Sequence, residues 1–190
     1  MQSAAENFGF NDNFSFSDIV LYNSSYPEDV ASVNELAWSG VGQGRVLVTP
    51  LHMAMIASGV ANGGVMMEPK LVRQITGAAG IPRLRTSGGM YKRVMSEATA
   101  QIVGEYMRET VENGTGKKAR VSGYTVCGKT GSAETSDDKS KATNAWYTGF
   151  VYDDAHPYAV SVVVEEGGSG GNLAAETAAK ALQYAIQYVG

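Results

Sequence analysis

Residues 145–166, AWYTGFVYDDAHPYAVSVVVEE, decide the fold class of this chain. The segment from Ala145 to Tyr152 is rich in aromatic residues, and the segment from Tyr158 to Glu165 is rich in valine, as is typical of β-strands. Residues 153–157 between them read Asp-Asp-Ala-His-Pro, which is a turn sequence. Because so short a connection cannot join parallel strands, the two segments predict an antiparallel β-hairpin.

One further strand and three helices are predicted around this hairpin. Residues from Val121 to Lys129 alternate in part between two faces, which favours a strand. The helices are predicted from their caps and stops: Thr49-Pro50 to Asn62-Gly63-Gly64, Ser96 to Asn113-Gly114, and Asn172 to about Val189. The predicted fold class is α/β (α+β), an antiparallel sheet packed by helices. We expect a single segment in which residues 1–40 are rich in loops and residues 41–190 are structured.

The composition excludes several classes of protein. The chain has 190 residues, 44% of them hydrophobic, and its 15 basic and 19 acidic side chains give a net charge of −4. The first cationic side chain is Arg45, so the acidic N-terminal part lacks the basic surface that a nucleic-acid partner requires. With one cysteine and two histidines, neither a disulfide framework nor a metal site is predicted, and no cofactor is expected. No apolar run approaches the ~20 residues of a membrane helix.

Two residues with reactive side chains are interpreted as structural. Cys127 lies on the predicted strand, where a lone cysteine behaves as a small buried apolar residue. His52 lies inside an apolar helix, where we expect a packed side chain whose polar atoms are satisfied.

Residues Gly123 to Thr130 match the phosphate-binding loop pattern G-x-x-x-x-G-K-[ST]. That loop requires a strand before its first glycine and a helix that opens at the lysine and threonine. Upstream, however, lies the polar stretch 117–120, and downstream residues 131–138 have no apolar helical period. A phosphate-binding-loop protein is therefore only a lesser alternative.

The same residues allow a second interpretation, in which Lys129-Thr130-Gly131 ends a strand. A cation and a hydroxyl on an edge strand can hold a substrate carboxylate, and a glycine lets a substrate backbone approach closely. A backbone N–H just beyond can point at a developing oxyanion. K-T-G is one of three motifs of β-lactamases and penicillin-binding proteins, beside S-x-x-K and an S-x-N type. Without further motifs, a solvated lysine at a strand end explains the tripeptide better.

Several separated stretches resemble high-molecular-weight penicillin-binding transpeptidases. They stand in that family's order and cover most of residues 8–189. The stretches are Phe8-Gly9-Phe10, Gly42-Gln43-Gly44 through Thr49-Pro50-Leu51 to Ala61-Asn62-Gly63-Gly64, Cys127 to Glu134, Ala145 to Phe150, and Gly170 to Ala175 with the helix that follows. The resemblance implies a partial β-lactamase-like fold, in which helices pack around a central antiparallel sheet.

The resemblance also implies an activity and residue roles. The parent protein would be a peptidoglycan D,D-transpeptidase at the extracytoplasmic face of the bacterial membrane, which uses D-Ala-D-Ala stem peptides and is acylated by β-lactams. Lys129 would polarise the site and assist proton transfer. The hydroxyls of Thr130 and Ser132 would hold the substrate carboxylate, and the Ser132 N–H would donate to the oxyanion. Gly131 would allow close approach of the substrate. From its own position on a predicted strand, Trp146 could line a substrate groove, although strand aromatics are usually core residues.

The sequence departs from the family at the nucleophile. In the family the serine of S-x-x-K and the S-x-N motif both precede the Phe-Gly-Phe region, whereas here only seven residues precede Phe8. Ser136-Asp137-Asp138-Lys139 imitates the first motif and Ser32-Val33-Asn34 the second, but both stand in the wrong order. We expect this chain to be the C-terminal part of the domain, which supplies the K-T-G wall and is inactive alone.

Two further expectations follow from this reading. The alternative function, from a different class, is a non-catalytic interaction or regulatory module with a partial transpeptidase fold. A fragment would also expose apolar surface, notably on the helix over residues 50–61, so we expect self-association, contraction of the fold or marginal stability.

Overall fold

The structure is a computed structural model that describes residues 1–16, 19–86, 88–136 and 141–189. Its helices are α1 (Gln2–Asn7), α2 (Val33–Gly40), α3 (Pro50–Ala61), α4 (Glu97–Glu112) and α5 (Leu173–Tyr188). Its strands are β1 (Val65–Met67), β2 (Gln74–Thr76), β3 (Pro82–Arg85), β4 (Met90–Arg93), β5 (Val126–Ala133), β6 (Asn144–Val151) and β7 (Ala159–Val164). Within these ranges no helix is both long enough and apolar enough to cross a bilayer.

The main sheet has three antiparallel strands in the order β5-β6-β7. The predicted hairpin is confirmed, because β6 and β7 pair with Trp146 opposite Val163. β5 joins the other side of β6, where Lys129 lies opposite Thr148 and Gly131 opposite Trp146. Among the described strands, β5 and β7 are therefore the two edges of the sheet. The mixed fold of helices and an antiparallel sheet is as predicted.

Helices cover both faces of this sheet. On one face, Ala178 and Leu182 of α5 pack in the same core as Tyr147 of β6. On the other face, side chains of α3 and α4 pack against the sheet, and this core consists of Ala57, Val60, Met107, Cys127 and Phe150. Because neighbouring residues of a strand point to opposite faces, side chains of both orientations are buried where both faces are covered, as at Val126 and Cys127 in β5.

The start of β5 was predicted wrongly. Val126, Cys127 and Gly128 are all buried, because both faces of the sheet are covered. The partial alternation over residues 121–129 therefore does not separate a buried face from an exposed one. Val121 and Tyr124 instead form an isolated bridge that closes a turn before the strand. The interpretation of Cys127 as a small buried residue is confirmed, since Cys127 is only 3% exposed.

The three predicted helices are confirmed. The Thr49 hydroxyl accepts the His52 N–H at 3.2 Å, and the Ser96 hydroxyl accepts the Thr99 N–H at 3.1 Å, as expected of N-caps. Asn172 precedes α5 as predicted, but its side chain makes no capping hydrogen bond.

Two small antiparallel pairs were not predicted. β1 pairs with β4, and β2 pairs with β3. Each of these strands has three or four residues, and every residue of β2 and β3 is exposed. Strands this short have too few residues to show a period of two, and the sequence therefore gave no signal for them. The loop-rich region 1–40 contains the two short helices α1 and α2.

The expected apolar exposure of the helix over residues 50–61 is wrong. All of α3 lies within the described residues, and none of its large apolar side chains is exposed, because β1, α4 and the main sheet pack around it. Large apolar side chains are exposed elsewhere, for example at Val20, Tyr22, Val33, Val41 and Leu47.

A buried histidine ties the N-terminal segment to α3. His52 is fully buried, and its Nε2 lies 2.8 Å from the Phe8 carbonyl oxygen while Nδ1 lies 2.7 Å from the Ser24 hydroxyl. Because a carbonyl only accepts, Nε2 carries the hydrogen, and in the neutral ring Nδ1 accepts from Ser24. The Ser24 oxygen in turn accepts the Thr49 N–H at 3.2 Å. The expectation that His52 is packed and satisfied is confirmed.

His52 should make the stability of the fold depend on pH. Burial lowers the pKa of His52 from its usual 6.5, and the hydrogen bond to Phe8 offsets only part of this effect. The unfolded chain takes up a proton as the pH falls through about 6.5, whereas the folded chain does not, so stability present above that pH is lost below it. We expect the free energy of unfolding to fall by up to about 1.4 kcal/mol per pH unit below this point.

The measurement is urea unfolding at several pH values between 5 and 7.5, chosen to lie above the range in which carboxylates titrate. His52→Gln should remove most of this slope, because glutamine does not titrate. His156→Gln is the matched control and should keep it, since His156 lies in the β6–β7 turn, partly exposed beside Asp153. An unchanged slope in His52→Gln would contradict the assignment.

Candidate active site

Four of the predicted site residues, Lys129 to Ser132, lie in the C-terminal part of the edge strand β5, and the fifth, Trp146, lies on β6. Lys129 is exposed, and its Nζ donates to the Thr130 carbonyl oxygen at 2.5 Å. Its strand partner Thr148 donates a hydrogen bond to the Met53 carbonyl oxygen at 3.1 Å, so this face of the sheet looks toward α3. Lys129 and Thr130 lie within a strand and do not open a helix. The phosphate-binding-loop alternative is therefore wrong.

The backbone of β5 points alternately toward β6 and away from it. The Tyr152 N–H donates to the Thr125 carbonyl oxygen at 2.9 Å, which makes these residues a hydrogen-bonded pair. Counting along the antiparallel ladder, the N–H and C=O groups of Thr130 and Ser132 point away from β6. The contact from Gln43 Nε2 to the Ser132 carbonyl oxygen, at 3.1 Å, agrees with this direction.

The side chains of Thr130 and Ser132 share one face of β5, because they are two residues apart. The Thr130 hydroxyl lies 2.7 Å from the hydroxyl of Thr115, which belongs to the loop after α4. The Ser132 hydroxyl accepts the Gly170 N–H at 3.3 Å. Since that contact uses an oxygen lone pair, the Ser132 hydrogen stays available for donation to a ligand.

Gly131 lies where three stretches of backbone meet. A Cβ on Gly131 would come within 3.3 Å of the Trp146 Cβ, and a Cβ on Gly170 would come within 2.2 Å of the Gly131 carbonyl oxygen. Residues 167–171 therefore run directly against β5 and β6. Trp146 is partly buried and shares the face of Lys129.

The structure thus divides the predicted residues between two faces. Lys129 and Trp146 lie on the α3 face, whereas Thr130 and Ser132 lie on the other. Lys129 reaches the outward edge of β5, where its Nζ donates to the Thr130 carbonyl oxygen. Contacts to three residues that were given no role complete the arrangement: Gln43, Thr115 and Gly170. Gln43 and Gly170 belong to stretches that resemble the family, but nothing in the sequence connected them to β5. Thr115 directly follows the Asn113-Gly114 helix stop and had no predicted role.

The buried thiol of Cys127 does not contribute to this edge. Burial raises the pKa of the Cys127 thiol to about 11, so it is protonated at neutral pH. Within the described ranges, no three potential metal ligands among His, Cys, Asp and Glu cluster together. An open cavity of about 810 Å³ lies elsewhere, between the end of α3 and the β6–β7 turn, and is lined by residues such as Asn62, Tyr152 and Asp153.

The motif imitations have different outcomes. Ser32 is the N-cap of α2: its hydroxyl accepts the Glu35 N–H at 3.1 Å, and a Glu35 carboxylate oxygen accepts the Ala31 N–H at 2.8 Å. Its sequence spacing therefore reflects helix capping of the capping-box type. The imitation at residues 136–139 has all but Ser136 outside the described residues.

Comparison with known proteins identifies the family of this edge strand and sheet. Residues 1–183 match the family described as penicillin binding protein transpeptidase domain. The chain belongs to this family. Because the match covers nearly the whole chain, the chain forms part of a transpeptidase domain, as the resemblance implied.

Curated relatives and solved structures agree. The chain is 34% identical to the peptidoglycan D,D-transpeptidase PbpA of Mycolicibacterium smegmatis over 146 residues, which are 74% of this chain and 30% of that protein. For PbpA of Mycobacterium tuberculosis, identity is 34% over 158 residues, 80% of this chain and 32% of that protein. The chain therefore spans about a third of the length of these relatives.

Two solved structures have the same fold. Penicillin-binding protein A of M. tuberculosis, solved as its imipenem acyl-enzyme complex, superposes with a TM-score of 0.83 at 29% identity, covering 97% of this chain and 41% of that one. The D,D-transpeptidase domain of a peptidoglycan glycosyltransferase from Eggerthella lenta gives 0.80 at 28% identity, covering 100% and 48%.

Gly170→Ala should destabilise the site and the fold together. The added methyl group would meet the backbone oxygens of Gly131 and Trp146 at 2.2 and 2.3 Å, and backbone atoms inside a sheet cannot move aside easily. We expect a loss of about 3 kcal/mol in the free energy of unfolding, measured by urea titration.

Gly104→Ala is the matched control for this change. Its new methyl group would have only ordinary contacts, 3.9 Å from Phe150 Cζ, and it lies inside α4. Removing a glycine from a helix should stabilise the protein by up to about 1 kcal/mol. Equal stability of the two variants would show that residues 167–171 do not pack on β5 as described.

Proposed function

We propose that the complete protein is a serine D,D-transpeptidase that cross-links peptidoglycan, and that the outward edge of β5 binds the terminal carboxylate of a D-Ala-D-Ala stem peptide. Membership of the transpeptidase family supports the reaction class. The observation that carries the assignment of the site is a row of donors on β5, which pairs with no strand but β6 in the part of the chain that the structure describes: an exposed cation at Lys129 and hydroxyls at Thr130 and Ser132.

The proposed carboxylate site follows from what these groups can donate. A carboxylate only accepts hydrogen bonds, so each group that binds it must present a hydrogen. Lys129 has three ammonium hydrogens, of which one is used by the Thr130 carbonyl oxygen. Ser132 already accepts from Gly170, which leaves its own hydrogen for the ligand. Charge-assisted hydrogen bonds of this kind are stronger than neutral ones.

The proposed role of the backbone is to stabilise the oxyanion. The Ser132 N–H points away from β6 by the alternation of the ladder, so it can donate to charge that develops on a substrate carbonyl. Gly131 has no side chain to obstruct a substrate that lies along the edge, and Trp146 would form a wall of the groove on the Lys129 face. Lys129 would also assist proton transfer through its electrostatic field.

The attacking serine is proposed to come from outside this chain. It would attack the D-Ala-D-Ala carbonyl and form an acyl-enzyme, and β-lactams would acylate the same serine. The acyl-enzyme complex of the M. tuberculosis relative supports β-lactams as ligands of the complete protein. Because peptidoglycan lies outside the cytoplasmic membrane, the parent protein would act at the extracytoplasmic face. Self-association of the isolated chain stays a prediction.

Lys129→Ala in the complete protein should lower the second-order rate constant of acylation by benzylpenicillin by about 100-fold, because the field and the donor at the strand edge are lost. The rate is measured by competition with a fluorescent penicillin. Lys180→Ala is the matched control, since the Lys180 side chain is 73% exposed on α5 and forms an ion pair with Glu176 on the same helix. Wild-type acylation in Lys129→Ala would refute the assignment.

The isolated 190-residue chain should not be labelled by fluorescent penicillin. The serines that imitate the missing motifs are not expected to react: Ser32 caps a helix, and Ser136 precedes a polar, acidic stretch. The measurement is in-gel fluorescence followed by peptide mapping, with the complete protein as the positive control. A label mapped to Ser32 or Ser136 would overturn this view.

A further inference from the structure

We propose that Thr115 is a positioning residue that orients the Thr130 hydroxyl toward the substrate carboxylate. This inference rests on the proposed carboxylate-binding role of Thr130 and adds a residue with no role in the sequence-based assignment. Its starting observation is the 2.7 Å distance between the hydroxyl oxygens of Thr115 and Thr130, the usual length of an O–H···O hydrogen bond.

The direction of this hydrogen bond follows from the ligand. Either hydroxyl can donate in the free protein. If Thr130 donated to Thr115, it would have no hydrogen left for a carboxylate, which can only accept. With a carboxylate bound, Thr115 must therefore donate to Thr130, and Thr130 to the ligand. In such a chain each bond polarises the next, so the Thr130 hydroxyl becomes a better donor.

The backbone of Thr115 is held firmly enough for this task. On one side, the Gly114 and Gly116 N–H groups donate to carbonyl oxygens at the end of α4, at 3.0 and 2.9 Å. On the other side, a Cβ on Gly171 would come within 2.5 Å of the Thr115 carbonyl oxygen. Thr115 thus lies between the end of α4 and the residues that precede α5, while its side chain reaches β5.

The two hydroxyls of the edge differ in one respect. Ser132 accepts from a backbone N–H of Gly170, a donor that cannot reverse its direction. Thr130 accepts from another hydroxyl, which can rotate. The orientation at Thr130 therefore depends on a side chain and can be removed by substitution, which makes the inference testable.

The test compares acylation of the complete protein by benzylpenicillin, which carries a carboxylate, and by its methyl ester, which does not carry the charge. Thr115→Val removes the hydroxyl with little change of shape. We expect it to lower the ratio of the two second-order rate constants about tenfold, because hydrogen bonds to charged groups are the stronger class. Thr115→Ser keeps the hydroxyl and should keep the ratio within about twofold.

Three controls make the result decisive. Thr125→Val makes the same chemical change at an exposed residue before β5 and should leave the ratio unchanged. Thr115→Ala should lower the ratio as Thr115→Val does, and it serves if the valine variant does not fold. Melting temperatures are recorded for every variant.

The outcomes separate this inference from the proposed function. An unchanged ratio in Thr115→Val and Thr115→Ala, or equal loss with both probes, would overturn the role of Thr115. If Lys129→Ala nevertheless reduces acylation, only the Thr115 inference fails. If Lys129→Ala has no effect either, the proposed carboxylate site itself is wrong.

Discussion

Helices cover both faces of the three-stranded sheet, so a ligand can reach its backbone only along an edge. Packing is close at Gly128, where an added Cβ would come within 2.0 Å of the Tyr147 hydroxyl oxygen. Strand β5 is thus held on both faces and along one edge, and along its other edge the backbone groups of Thr130 and Ser132 point outward. The chemistry proposed for this edge depends on that rigidity, because donors help a transition state only when they are already in place.

Much of the fold could be predicted because its signals are local. Thr49 and Ser96 cap their helices within three residues, and the turn before Tyr158 joins strands that are neighbours in the chain. The pairing of β1 with β4 has no such signal, since residues 65–67 meet residues 90–93 and neither strand is long enough to show a period. The start of β5 was misjudged because burial on both faces removes the alternation on which the prediction depended.

The sequence predicted that four of the site residues lie together at the end of one strand, but it did not predict which residues of other elements contact that strand. Lys129 through Ser132 follow one another, so their motif alone placed them together. The residues that contact them are distant in the sequence: Gln43 is 89 residues from Ser132, and Thr115 is 15 residues from Thr130. A single sequence does not show which distant residue a side chain contacts in the fold. A helix cap or a hydrophobic period, in contrast, is a local pattern that can be read directly.

Strand β7, at the edge of the sheet opposite β5, affects how the isolated chain should be handled in solution. Strand β7 has the sequence AVSVVV, carries no charge, and pairs with β6 alone among the strands that the structure describes. An unpaired valine-rich edge is a template on which a second molecule can add a strand, and repeated addition leads to amyloid-like fibrils. Concentrated stocks of the isolated chain are therefore best screened with thioflavin dye before any binding curve is interpreted.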